Sequence, residues 1–189
     1  MTTAGTTARD QRRAVRPTGQ ERVLEADDLI VSKTDPRGLI TYANEAFLRV
    51  SRYEEEDVLG QPHNLIRHPD MPKAVFKLLW DTVAAGQEVF AYVNNLAADG
   101  AHYWVLANVT PSYDARGRIV GYHSSRRAPT RPAIAAVSAV YDQLRAVERA
   151  QPNGRAAVEA STALLGTLLA ARGQSYDEFV WSLISEGGF

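Results

Sequence analysis

The chain has 189 residues, 45% of them hydrophobic, enough to bury one core with appendages. Its 21 basic and 22 acidic residues leave a net charge of −1 and are scattered, with no gathered basic face of the kind that grips nucleic acid. There is no cysteine, which excludes disulfides, thiolate metal sites and iron–sulfur clusters together.

Residues 1–22 lack hydrophobic periodicity and include Pro17 and Gly19, which predicts a mobile tail. The N-terminus has no hydrophobic signal region and the chain no run of 18 apolar residues, so a cytoplasmic protein without direct membrane insertion is expected. Asp28–Ser32 and Leu39–Tyr42 are β-prone runs on either side of the turn Asp35-Pro36-Arg37-Gly38. Asn44 stands where an N-cap would, ahead of a short helix carrying Ala46, Phe47, Leu48 and Val50. Ser51–Gly60 predicts another helical turn. Its Glu54, Glu55, Glu56 and Asp57 point in different directions on consecutive helical positions, so they form a solvated face and not a metal site.

Gly60 to Pro72, GQPHNLIRHPDMP, concentrates polar chemistry: His63, Arg67, His68 and Asp70 among three prolines that stiffen the backbone. Phe76, Leu79, Trp80 and Val83 follow at three- and four-residue spacing. They predict an amphipathic helix running to about Ala85, with Asp70 or Met71 as cap and Pro72 in its first turn. Two readings fit. The segment is an ordinary loop with solvated histidines and an Arg67–Asp70 surface pair, or it is the mouth of a pocket floored by Phe76 and Trp80. In the second, Arg67 and the histidines meet an anionic or heteroaromatic ligand.

Beyond Gly86, Val89–Leu96 and Ala101–Pro111 form a hairpin around Ala97-Ala98-Asp99-Gly100. Alternation puts His102, Trp104, Leu106, Asn108 and Thr110 on one face of the second strand and Tyr103, Val105, Ala107 and Val109 on the other. Both faces are partly apolar, so one is expected to enclose a ligand and the other to need an added helix or a partner subunit. Ile119–Arg126 is the last strand. Three amphipathic helices are predicted after it: one from Thr130 with Ile134, Val137, Tyr141 and Leu144, one over about 155–172, and one from Tyr176 to about Ser185. They pack on the open sheet face or on each other, or else they mediate dimerisation or docking.

GQPHNLIRHPDMPKAVFKLLW, with TYANEAFLRVSRY before it and HYWVLANVTP and IVGYHSSRR after it, resembles the PAS domain of aerotaxis receptors of the Aer type over about residues 27–128. The resemblance implies an α+β PAS fold, a five-stranded antiparallel sheet with short helices on one face and here a C-terminal helical extension. It also implies noncovalent FAD. The cofactor-binding set it carries over is Asn44, His63, Arg67, His68, Asp70, Phe76, Trp80 and Asn95. The family's Gly-x-Pro-Trp run reads Gly86-Gln87-Glu88-Val89-Phe90 here, and its Asn-Arg-Arg-Lys run reads Asn95-Leu96-Ala97-Ala98. These departures remove expected contacts to the outer part of FAD and leave FMN as an alternative, with Phe90 or Tyr92 as substitute aromatic surfaces. Without cysteine, the adduct chemistry of blue-light flavin sensors is not expected.

The organisation expected is a tail over 1–22, a PAS sensor domain over 23–128 and a helical region of two to three helices over 129–189. The function expected is that of a redox or energy sensor related to oxygen, signalling to a separate chemotaxis-type transducer as in bipartite energy-taxis systems, and forming a homodimer. The alternatives are a haem-binding gas sensor, with His68 ahead of His63, His102 and His123 as axial ligand, and a cofactor-free adaptor. An enzyme is not expected, because no nucleophile motif, phosphate-cradling glycine loop or metal-ligand spacing is present.

Overall fold

Asp35 makes the first turn: its Oδ1 accepts from the backbone N–H groups of Arg37 and Leu39 at 2.9 Å each. Gly38 supplies the left-handed residue (φ 81°) that the turn requires. The flanking runs become β1 (Ile30–Thr34) and β2 (Ile40–Ala43). The structure is a computed structural model that describes residues 15–186. After β2 come α1 (Glu45–Ser51), α2 (Glu55–Val58), a 3₁₀ turn over His63–Ile66 and α3 (Lys73–Ala84). Glu54, Glu55 and Glu56 are exposed, as a solvated face requires.

β3 (Val89–Leu96), β4 (His102–Tyr113) and β5 (Ile119–Arg127) complete a five-stranded antiparallel sheet in the order β2-β1-β5-β4-β3. β5 closes on β1 at Gly121, where an added Cβ would stand 2.2 Å from the Thr34 carbonyl oxygen. The register pairs Val93 with Val105, Ala107 with Arg126, and Ser32 with Ser124, so these residues share the inner face. α1 and α3 cover that face with Phe47, Val75 and Val83, all fully buried.

Three helices follow, α4 (Arg131–Arg149), α5 (Gly154–Arg172) and α6 (Tyr176–Glu186). They fold back on the chain's own sheet. The Tyr141 hydroxyl donates to the Tyr92 carbonyl at 2.7 Å, its ring stacks on Trp104 with centroids 6.2 Å apart, and Trp181 lies 4.9 Å from Phe90. α5 packs on both α4 and α3, so the helical unit reaches from the outer sheet face past the β3 edge to the inner-face helices. The apolar outer face of the hairpin is thereby covered from within the chain, and the β3 edge is protected.

Two sequence expectations change. Part of the predicted tail is tied down: Thr18 N–H donates to the Gly100 carbonyl at 2.8 Å, His102 N–H to the Gln20 carbonyl at 2.9 Å and Arg22 N–H to the His102 carbonyl at 2.7 Å. Residues 1–14 lie outside the described residues. Helix α3 starts one residue later than its proline pattern predicted, with Pro72 as N-cap and not in the first turn. Neither Asp70 nor Met71 caps it. The Glu148 carboxylate of α4 does so instead, accepting from Lys73 N–H at 2.6 Å and Ala74 N–H at 3.4 Å.

Candidate functional site

A cavity of about 80 Å³ lies between α3 and the inner sheet face. Ile66, Phe76, Leu79 and Trp80 line it from the loop and helix side, and Val93, Ala107 and Val109 line it from the sheet. α3 puts Phe76, Leu79 and Trp80 together because they fall three and four residues apart on one face. The central sheet residues are small, so they offer a flat apolar floor. At the mouth the Trp80 ring lies over Gly38, within 3.0 Å of where a Cβ would sit, and meets Tyr122 edge-on at 5.5 Å.

Buried polar atoms without partners gather on this cavity. Thr34 Oγ1, Asn95 Nδ2, Ser124 Oγ and Arg126 Nη1 all belong to lining residues, and none has a hydrogen-bond partner among the described residues. They span the sheet from β1 to β3, three strand spacings of about 4.8 Å. Orphaned buried polar groups are rare in native proteins because each costs roughly 1–3 kcal/mol. Four on one cavity mark a place where a polar ligand or water belongs.

Arg126 is the strongest of these signals. Its residue is 4% exposed, and among the described residues no carboxylate forms an ion pair with it. Its Nη2 donates to Ser32 Oγ at 2.9 Å and to His63 Nε2 at 2.6 Å, and the guanidinium lies 5.8 Å from the Phe47 ring. Burial pulls its pKa down to about 10, so it remains a cation at neutral pH. Burial, then the Arg126 charge, depresses His63 to about 3 and keeps that imidazole neutral. Because His63 Nε2 accepts from Arg126, the ring proton sits on Nδ1 and Nε2 is not offered to a metal.

The eight residues marked from sequence divide in two. His63, Arg67, Phe76, Trp80 and Asn95 line the cavity. Arg67 also donates to the Met71 carbonyl at 3.0 Å and lies 4.0 Å over the Phe76 ring. Asn44, His68 and Asp70 are placed outside the lining. Asn44 Oδ1 accepts from the Val31 and Phe47 N–H groups at 2.9 and 3.0 Å, and its Nδ2 donates to the Leu29 carbonyl at 2.8 Å. Its side chain joins β1 to α1. His68 Nδ1 accepts from Asp70 N–H at 3.1 Å, and its ring meets His102 edge-on at 5.8 Å. Burial lowers the His68 pKa, against the pull of the nearby Asp70. Asp70 is exposed and pairs with Arg145 of α4.

Sequence reasoning did not mark Thr34, Ser124 or Arg126. A signal existed in IVGYHSSRR, where strand alternation puts Tyr122, Ser124 and Arg126 on one face, but nothing local says that this face is the buried one. Among the described residues, no three His, Asp or Glu side chains come together as a metal site.

Residues 40–126 match the family model described as PAS fold. These residues form a PAS domain. The PAS domain and its flanks are 43% identical to the aerotaxis receptor of Escherichia coli (strain K12) over 129 residues, 68% of this chain and 25% of the receptor. They are 30% identical to the nitrogen fixation regulatory protein of Klebsiella pneumoniae over 105 residues, 56% of this chain and 21% of that protein. Among solved structures, the dark state of the blue-light photoreceptor Aureochrome1 LOV aligns with a TM-score of 0.52 at 25% identity, covering 65% of this chain and 97% of that one. The chain therefore spans about a quarter or less of the length of these two curated relatives. No described helix is long and apolar enough to cross a membrane.

Proposed function

We propose that this PAS domain is a redox sensor that holds a flavin noncovalently, FAD in first place and FMN as the alternative, and signals by a conformational change. The observation that carries the reading is the set of orphaned polar atoms on residues that line the cavity, among them Nη1 of Arg126, whose guanidinium has no carboxylate partner among the described residues. An isoalloxazine is flat and apolar on its faces, with donors and acceptors confined to its edge. The lining has the complementary layout: small apolar residues beneath, and Thr34, Asn95, Ser124 and Arg126 around them. A buried cation without a carboxylate also suits a ring whose pyrimidine edge carries electron-rich oxygens. The resemblance of the GQPHNLIRHPDMP loop and the helix after it to the Aer-type PAS domain implies the same ligand class.

A bound flavin would supply reversible electron uptake, with change of charge and protonation at its ring nitrogens. The protein's part is to hold the ring and to register the change. Asn95 offers an amide that donates from one atom and accepts at the other, so it can rotate to suit a ring edge that changes from acceptor to donor. Thr34 and Ser124 hydroxyls rotate likewise. Arg126 opposes loss of negative charge in the pocket and passes any shift to His63 and Ser32 through Nη2. Leaving one such buried group unpaired costs about 1–3 kcal/mol, enough to move a two-state equilibrium about tenfold. The listener in this reading is a chemotaxis-type transducer on another chain, and the sensor works in the cytoplasm as a homodimer.

The visible spectrum of the purified protein, before and after dithionite, tests this. Twin bands in the blue and near-ultraviolet that bleach on reduction are expected. A Soret band would replace flavin with haem, and a spectrum empty even after incubation with FAD or FMN would remove the sensor reading in favour of an adaptor.

A further inference from the structure

Helix α3 brings Phe76, Leu79 and Trp80 to the pocket, yet it has no cap of its own, because Pro72 at the N-cap position carries no side-chain acceptor. The group that completes it comes from 75 residues downstream, the Glu148 carboxylate near the end of α4. Arg145, three residues earlier on α4, pairs with Asp70 in the loop that leads into α3. The same helix holds the back of the opposite pocket wall. Tyr141 donates to the Tyr92 carbonyl on β3, next to the lining residue Val93. The helical unit therefore grips the cavity from two sides, at the head of α3 and behind β3.

We propose that Glu148 is a positioning residue that couples the pocket to the docking of α4–α6, making that helical unit the sensor's own output element. Any ligand or redox change that shifts α3 moves the Lys73 and Ala74 N–H groups relative to a carboxylate fixed on a different unit, so the cap is kept only when both are in register. Coupling of this kind is reciprocal: whatever loosens α4–α6 changes ligand affinity by the same factor. The flavin reading supplies the ligand, but the coupling is a property of the protein itself and is measured without it.

The test uses the full chain and the variants Glu148→Ala, Glu148→Gln and, as a control on the exposed side of α5, Arg155→Ala. Amide hydrogen exchange is followed without ligand over residues 73–84 and 176–186. Glu148→Ala is expected to speed exchange about tenfold in both segments. Glu148→Gln, which keeps an acceptor oxygen, recovers most of the protection, and Arg155→Ala changes neither. Faster exchange over 73–84 alone would show a local cap without coupling and would overturn the proposal. If Glu148→Ala does not fold, Arg145→Ala, which removes the second contact of α4 with the loop before α3, carries the same comparison. A second arm titrates FAD by fluorescence quenching, where Glu148→Ala is expected to shift the Kd at least threefold. Failure of FAD to bind the unaltered protein would reject the flavin reading alone, since the exchange comparison still decides the coupling.

Discussion

Arg126 is a cation held inside a protein with two neutral partners and one free nitrogen, an arrangement that is costly unless something else meets it. Its replacement separates cost from purpose. Arg126→Met is expected to leave the ligand-free protein as stable as before or more so, and to weaken flavin binding at least tenfold, as read by thermal unfolding and by fluorescence titration. Equal loss of both would make Arg126 a structural residue. His63 supplies a pH dependence of definite sign. In the unfolded chain it titrates near 6.5, whereas in the fold burial and Arg126 hold it at about 3. Between those values the unfolded state binds a proton that the folded state does not, so stability is full above pH 6.5 and falls as pH drops toward 3. His63→Gln, which keeps an acceptor for Arg126, is expected to unfold with a shallower pH dependence through that window.

At the scale of elements, the strands, the Asp99-Gly100 turn and the three terminal helices were legible because each signal is local: alternation, a turn dipeptide, apolar spacing. β3 spans the predicted residues, and α4 buries Val137, Tyr141 and Leu144 from the predicted stripe. The cap of α3 was not legible, because its carboxylate lies 75 residues away and reaches the helix only through the fold. The pocket was half legible for a related reason. The residues of the loop and helix that line it cluster in sequence, whereas Thr34, Ser124 and Arg126 are gathered by strand pairing. Two substitutions test the element contacts. Gly121→Ala puts a methyl against the Thr34 carbonyl where β5 crosses β1 and is expected to cost about 1–3 kcal/mol in urea unfolding. Tyr141→Phe leaves the buried Tyr92 carbonyl unpaired and is expected to cost a similar 1–3 kcal/mol.

For the molecule as a whole, the helical unit covers the outer face of β3 and β4, while α1 and α3 cover the inner one, so the sheet is a thin wall between a polar-lined cavity and a docked helical layer. That geometry gives a small change in the cavity a short route to a large surface, through β3 or through the head of α3. The claim on which the account depends is that the orphaned atoms exist for a ligand. Fluorescence titration of FAD into the unaltered protein, Asn95→Leu and Glu55→Ala, with thermal unfolding of each ligand-free protein alongside, tests this most directly. The account predicts tenfold or greater weakening in Asn95→Leu without loss of stability, and no change in the exposed Glu55→Ala. Equal affinity in all three proteins would contradict it and place the ligand elsewhere.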